Sequence, residues 1–140
     1  MSLEDIDFAG RYRTDPGVVS RAAHPPEFWD GRAAGMSERA ARSAYARQFV
    51  ARMDLEGCAT MLDVGCGPGT IALSVAPILG HVYGLDYSPG MLEALAARAG
   101  AEGLANVTPI LRAWEDDWSD VPACDLVVAS RATAVRDFEA

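Results

Sequence analysis

The chain has 140 residues, of which 50% are hydrophobic and 23% charged, and its formal net charge is −8. These values are typical of one globular domain. All twelve basic residues are arginines, so P-loop nucleotide hydrolysis and Schiff-base catalysis, which need a lysine, are excluded. No apolar run approaches the roughly 20 residues of a membrane span, and the first residues do not resemble a signal peptide. We therefore expect a cytoplasmic protein with no membrane partner.

Charge is distributed unevenly along the chain. Residues 1–53 hold eight arginines and seven acids, whereas residues 54–140 hold four arginines and thirteen acids. The acidic second part should repel nucleic acid, so no nucleic-acid partner is expected. The arginines within 39–52 fall among alanines at helical spacing, which favours a solvated helix face over an anion site.

Cysteine and histidine provide no metal-binding pattern. Cys58, Cys66 and Cys124 form an odd set without a C-x-x-C pair, and His24 and His81 lie far apart. The sequence therefore predicts no disulfide, no structural zinc and no other metal site.

The first part of the chain, residues 1–53, is predicted to be a helical arm or lid. Proline and glycine interrupt its first 36 residues, so at most short helical turns are expected there. From Ser37, a plausible N-cap, to Met53 the chain lacks both residue types. Apolar residues in this stretch recur every three or four positions, which predicts one amphipathic helix whose buried face holds Ala41, Ala44, Tyr45, Phe49 and Met53.

The second part, residues 54–140, is predicted to be an α/β domain. Four short apolar runs alternate with helical stretches, which favours a doubly wound, mainly parallel sheet covered on both faces. Pro77 should end or kink the first of these helices. The predicted strands lie within 61–64, 82–85, 107–111 and 126–128, and the predicted helices at 69–79, 89–102 and 115–119.

A glycine-rich turn joins the first predicted strand to its helix. Gly65 suits a tight turn, Gly67 removes a side chain where a ligand could lie, and Gly69 lets the helix pack closely. Asp86 ends the next strand, 21 residues beyond Gly65. A carboxylate at that strand end can accept hydrogen bonds from the two hydroxyls of a ribose.

The glycine spacing distinguishes between nucleotide ligands. A dinucleotide fingerprint is G-x-G-x-x-G, with a helix N-terminus on the pyrophosphate. Here the third glycine, Gly69, comes one residue early, and Thr70 stands in its place. Asp63, directly before the turn, would repel phosphates but attract an α-ammonium group. A ligand with adenosine at one end and an amino acid at the other, such as S-adenosylmethionine (SAM), fits both features.

Three segments, 62–70, 84–92 and 125–129, resemble the class I, Rossmann-like SAM-dependent methyltransferases, especially their small-molecule branch. The resemblance implies that the glycine turn wraps the methionine part of the cofactor and that Asp63 orients it. It also implies that Asp86 binds the ribose. The cofactor residues carried over for these contacts are Asp63, Gly65, Cys66, Gly67, Gly69, Asp86, Tyr87 and Met91, the last two packing around adenine.

Three further segments carry weaker parts of the resemblance. Ala113, Trp114 and Glu115 are similar to the family's contact with the adenine edge, although Arg112 replaces the usual acid before them. Residues 28–33 are similar to a segment that forms part of a substrate lid. Ser130 and Arg131 would lie near the transferred methyl group, but neither is named a catalyst and the catalytic residues stay unknown.

The expected function is methyl transfer from SAM to an unidentified, small-molecule acceptor. Two alternatives stay open: a non-catalytic or truncated SAM-binding module, and a nicotinamide or flavin oxidoreductase. Eleven residues follow Ala129, too few for strands five to seven of the family's sheet, so we expect a sheet truncated after its fourth strand. Two explanations compete: the chain is a truncated piece of a longer enzyme, which we favour, or a second copy pairs across the exposed fourth strand as a homodimer.

Overall fold

The computed structural model describes residues 7–16 and 24–132. In this part of the chain, four parallel strands form one sheet in the order β3-β2-β1-β4. The strands are Thr60–Val64 (β1), His81–Asp86 (β2), Val107–Leu111 (β3) and Leu126–Val128 (β4). The four predicted strands and the Rossmann-like α/β fold class are therefore confirmed.

Helices precede and separate the strands. They are Phe8–Thr14 (α1), Pro26–Asp30 (α2), Ala33–Ala40 (α3), Ala44–Val50 (α4), Ala72–Val75 (α5) and Pro89–Ala101 (α6). The N-terminal helices α2 and α3 pack on α6, and α4 packs on α5. In the described ranges, no helix combines the length and the apolar character that crossing a bilayer requires.

The main core lies between one face of the sheet and the helices. Met61 of β1, Val82 of β2 and Leu95 of α6 are each 0% exposed. The opposite face holds a smaller apolar cluster around Leu62 and Leu85. The central strands are thus buried on both faces, which explains their nearly continuous apolar sequence.

The predicted single helix from Ser37 to Met53 is wrong. Ser37 lies inside α3, and the helical structure is interrupted between α3 and α4. Just before α4, the Ser43 hydroxyl accepts a hydrogen bond from the Ala46 N–H at 3.1 Å. Serine competes for backbone hydrogen bonds in this way and so favours a cap over a helix interior. Ala41 and Ala44, both predicted to be buried, are exposed.

Two other helix predictions need correction. Helix α3 passes through Gly35, which was expected to interrupt it; a glycine costs a helix only about 1 kcal/mol, which tertiary packing can offset. Residues 115–119 form turns instead of a helix. There the Asp117 carboxylate accepts bonds from the N–H and hydroxyl of Ser119, and such local bonds compete with a helix.

The predicted helix at 69–79 is confirmed only in part, whereas the predicted helix at 89–102 is confirmed almost completely. The first is reduced to one helical turn, α5, followed by turns through Pro77, which lacks the N–H that a continuing helix would need. The second corresponds to α6, whose N-cap Ser88 accepts a hydrogen bond from the Met91 N–H at 3.1 Å.

Strand β4 forms an edge of the described sheet. It pairs with β1, and Val127 is 58% exposed. Pairing with a second copy stays a prediction, as does the division of the chain at residue 53. The parts of these predictions that concern residues 1–6, 17–23 and 133–140 lie outside the described residues.

We predict that Leu95→Ala lowers the free energy of unfolding by about 2–5 kcal/mol, because the side chain is fully buried between α6 and the sheet. Ile78→Ala is the control, since that side chain is 63% exposed and its truncation should cost less than about 1 kcal/mol. Urea denaturation followed by circular dichroism measures both. Equal losses for the two variants would contradict the described core.

Candidate functional site

A cavity of about 680 Å³ opens at the carboxyl ends of the strands. Its volume is within the usual range for small-molecule sites. Ten of the eleven predicted cofactor residues line it: Asp63, Gly65, Cys66, Gly67, Asp86, Tyr87, Met91, Ala113, Trp114 and Glu115. The fold thus brings residues from β1, β2 and the segment after β3 to one place.

Gly65 makes the sharp turn that follows β1. Its φ is +68°, and the N–H groups of Gly65 and Cys66 both donate to the Leu85 carbonyl, at 2.7 and 3.0 Å. A Cβ at position 65 would overlap the Cβ of Ala132, which follows β4. Glycine is therefore required here by both the backbone conformation and the close approach of another segment.

Gly67 and Gly69 have different surroundings. A Cβ added to Gly67 would meet the Met91 sulfur at 3.9 Å and otherwise open space, so this glycine leaves room in the cavity. A Cβ added to Gly69 would overlap the buried Leu95 side chain, and Gly69 is absent from the cavity lining. Gly69 thus has the packing role expected from its position, and the direct cofactor contact implied by the resemblance has no geometric support.

Asp63 is a buried carboxyl group at the floor of the cavity. It is 2% exposed, and one of its oxygens accepts a hydrogen bond from the Ala72 N–H at 3.1 Å. Burial raises the pKa of Asp63 from 3.8 to about 7; the Ala72 bond opposes this shift, and the nearby Asp86 charge adds to it. A cationic group bound in the cavity would favour the ionised carboxylate.

Asp86 provides a second carboxyl group at the end of β2. Its two oxygens accept bonds from the N–H groups of Gly67 and Ser88, each at 2.9 Å. Burial raises the pKa of Asp86 even though these bonds lower it. Each oxygen has further lone-pair capacity, so hydroxyl donors of a ligand could bind this carboxylate.

The N-terminal helices cover the start of α6. One Asp30 oxygen accepts hydrogen bonds from the Ser88 hydroxyl at 2.6 Å and from the Gly90 N–H at 2.8 Å. A Cβ at Gly90 would lie 2.8 Å from the Asp30 Cα. The neighbouring Trp29 lines the cavity. The segment 28–33 therefore lies against the candidate site, and its action as a lid stays a prediction.

His24 belongs to a group of aromatic side chains in the N-terminal part of the chain. Its ring stacks on Phe28 with centroids 3.8 Å apart, and its carbonyl accepts a hydrogen bond from the Tyr87 hydroxyl at 2.9 Å. These contacts hold His24 at the border of the cavity.

The cavity wall formed by the segment after β3 differs from the adenine contact that the resemblance implies. The Ala113 N–H, expected to meet an adenine edge, donates to an Asp116 oxygen at 2.7 Å, and the Ala113 carbonyl accepts from the Trp118 indole at 2.8 Å. Trp114 stacks on Trp118 and remains 41% exposed. An adenine contact through the Ala113 N–H would require Asp116 to move.

Cys66 is not a candidate nucleophile. The side chain is buried, and burial together with the nearby carboxyl groups raises the pKa of the Cys66 thiol well above its usual value. A reactive thiolate needs the opposite shift. Its structural role is that of a small residue in the turn after β1.

Sequence analysis did not select several residues that line the cavity. Arg39 was assigned to a solvated face; it is exposed, but it also borders the cavity. Tyr45 was expected on the buried face of a helix, and Trp29 was given no role apart from its segment, 28–33. Both side chains line the cavity. Their helical spacing gives no signal of this, because the position of α2–α4 over the sheet is set by tertiary packing.

Comparison with known proteins identifies the family. Residues 61–139 match the methyltransferase-domain family, and the chain belongs to it, as a member of the class I, SAM-dependent methyltransferases. The cofactor of this family is SAM. The match includes β1 except for Thr60, the glycine turn and the other three strands.

Individual relatives and solved structures are similar to parts of this chain. An uncharacterised protein of Haemophilus influenzae is 40% identical over 99% of this chain and 53% of its own length. Nocamycin O-methyltransferase of Saccharothrix syringae is 32% identical over 64% of this chain and 33% of its own. Coclaurine N-methyltransferase, bound to N-methylheliamine and SAH, is 22% identical, with a TM-score of 0.53 over 61% of this chain and 26% of that one. The chain thus spans about half, or less, of the length of these relatives.

We predict that Asp63→Asn stabilises the protein without ligand at pH 8 by about 2–4 kcal/mol. The folded pKa of about 7 exceeds the unfolded value of 3.8, so the folded state binds more protons between these values. Wild-type stability should therefore fall, relative to the variant, as the pH rises from about 4 to 7. Urea denaturation across this range measures the difference.

Asp125→Asn is the control with the opposite sign. Hydrogen bonds from the Ala59 and Thr60 N–H groups lower the pKa of Asp125, so its ionised form stabilises the fold above pH 3.8. Its substitution should therefore destabilise the protein at pH 8. A stability difference between wild type and Asp63→Asn that does not change with pH would contradict the assignment.

Proposed function

We propose that this chain binds SAM in the described cavity and transfers the cofactor's methyl group to a small-molecule acceptor. The observation that carries the proposal is the pair of buried carboxyl groups, Asp63 and Asp86, on either side of the glycine turn. A ligand with a cationic end and a hydroxyl-rich middle part complements this arrangement. SAM has both features.

Asp63 and Gly67 suit the methionine end of the cofactor. Among the described side chains, no arginine forms an ion pair with Asp63, and at 2% exposure the carboxylate is poorly solvated, which raises its pKa. The α-ammonium group of methionine would supply the missing positive charge. The open space beside Gly67 would accept the adjoining chain.

Asp86, Tyr87 and Met91 suit the adenosine end. The Asp86 carboxylate can accept hydrogen bonds from both ribose hydroxyls, which is the contact expected at the end of the second strand. Tyr87 and Met91 border the adjoining part of the cavity and offer flat or flexible apolar surface to a purine.

SAM supplies a methyl group activated by the sulfonium sulfur, so the protein has to position the reactants and exclude water. Trp29 and Tyr45 line the cavity on the side of the N-terminal helices. A concave site of about 680 Å³ supports a small acceptor over a macromolecular one. We assign no general base, and the cytoplasmic location and the lack of a nucleic-acid partner stay predictions from the sequence.

Two other functions are less well supported. A nicotinamide cofactor would place a pyrophosphate near the glycine turn, where the Asp63 charge is unfavourable and the third glycine is one residue early. A SAM-binding module without turnover is compatible with a chain that spans about half of its Haemophilus relative. Turnover of SAM in the presence of acceptors distinguishes that module from an enzyme.

We predict that SAM and its demethylated product, S-adenosylhomocysteine (SAH), bind the chain and that NAD does not. Asp86→Ala should weaken SAH binding at least tenfold, because the ribose hydroxyls lose a charged acceptor; tenfold corresponds to about 1.4 kcal/mol. Isothermal titration calorimetry measures each affinity.

Glu93→Ala, an exposed acid on α6 outside the cavity, is the matched control and should leave the SAH affinity unchanged. Tighter binding of NAD than of SAH, or equal SAH affinity in wild type and Asp86→Ala, would refute the proposed site.

A further inference from the structure

Three arginines border the cavity of this acidic protein: Arg39, Arg112 and Arg131. Arg112 already has partners, since its guanidinium forms an ion pair with Asp120 at 2.6 Å and donates to the carbonyls of Leu111 and Asp117. Its charge and its donors are therefore used within the protein. Arg39 and Arg131 are the other two positive charges at the cavity.

The guanidinium of Arg131 stacks on an aromatic ring. Its guanidinium carbon lies 4.1 Å from the centroid of the Tyr45 ring. Within residues 7–16 and 24–132, no carboxylate forms an ion pair with Arg131. Stacking uses the face of a guanidinium and leaves the N–H donors along its edge available for a planar, two-oxygen acceptor.

Two hydroxyl groups belong to residues beside Arg131: Tyr45, whose ring stacks on the guanidinium, and Ser130, which precedes Arg131 in the chain. The Tyr45 hydroxyl and the Ser130 hydroxyl are 2.6 Å apart and share a hydrogen bond. The backbone of Arg131 has a φ of +60°, a conformation that residues other than glycine seldom adopt. Residues are held in such conformations where their surroundings fix them, which is a common property of ligand-binding sites.

The strand order separates Ser130 and Arg131 from the part of the cavity that we assign to adenosine. Asp86 ends β2 and Ser130 follows β4, and these strands flank β1 on opposite sides. Ala132 approaches Gly65, at the end of β1. Arg131 therefore borders the cavity on the side of β1 that Asp86 and Tyr87 do not occupy.

We propose that the methyl acceptor carries an oxyanion, a carboxylate or a phosphate, and that Arg131 binds it with the help of the Tyr45 and Ser130 hydroxyls. This inference rests on the proposed function, because it needs the cofactor on the Asp86 side. Arg131 is then a specificity-determining residue that selects an anionic acceptor.

The test uses small aromatic probes with matched shapes. Benzoate carries a carboxylate, phenyl phosphate carries a phosphate and benzamide is the neutral control. Each is titrated into the chain saturated with SAH, and binding is followed by the fluorescence of Trp29 and Trp114, which both line the cavity. We expect at least one anion to bind about tenfold or more tightly than benzamide, and the preferred anion identifies the oxyanion class.

Arg131→Met should lower the affinity for the preferred anion about tenfold or more, the effect expected for loss of a charge-assisted hydrogen bond. Its SAH affinity should stay within about twofold of wild type. Arg131→Lys keeps the charge but lacks the planar fork, so it should recover only part of the affinity. Arg47→Met, an exposed change on α4 outside the cavity, is the control, and thermal unfolding checks that all variants are folded.

The outcomes separate this inference from the proposed function. Binding of SAH without any preference for the anions overturns the anionic acceptor alone. An equal loss of SAH and anion affinity in Arg131→Met also overturns it, because Arg131 would then serve the carboxylate of the cofactor. Failure of wild type to bind SAH refutes the proposed function, and this inference with it.

Discussion

The removal of two carboxyl groups from water is the constraint on which the site depends. Asp63 and Asp86 are almost completely buried at the ends of adjacent strands, and their pKa values are raised by this burial. Backbone N–H groups of Ala72, Gly67 and Ser88 offset part of the desolvation. The remainder is an unfavourable term in the unliganded fold, and a cationic, hydroxyl-bearing ligand is the kind of molecule that removes it.

The strands and the centre of the site could be predicted because their signals are local. Apolar runs bounded by turn residues correspond to β1–β4, and the glycine turn between Asp63 and Asp86 was recognised from spacing alone. In a parallel sheet the carboxyl ends of neighbouring strands meet at one edge, so a strand assignment already brings these acids together. No tertiary information was needed for that step.

The rest of the site depends on contacts between distant parts of the chain. Asp30 meets Ser88 across 58 residues, and Tyr45 meets Ser130 across 85. Neither pair has a spacing or motif that a single sequence could reveal. The helix errors have a different physical origin, because the Ser43 and Asp117 side chains bond nearby backbone N–H groups and end or prevent helices that composition alone would allow.

Strand β4 is only three residues long, yet its alignment is fixed at its amino end. One oxygen of Asp125 accepts hydrogen bonds from the N–H groups of Ala59 and Thr60, and the Thr60 hydroxyl accepts one from the Asp125 N–H. Side chains alternate between the faces of a sheet, so a slip of one residue would invert the strand. The hydrogen bonds at the amino end of β4 therefore determine which side chain lies beside Gly65, and the proposed acceptor site depends on contacts at the opposite end of the strand from the cavity.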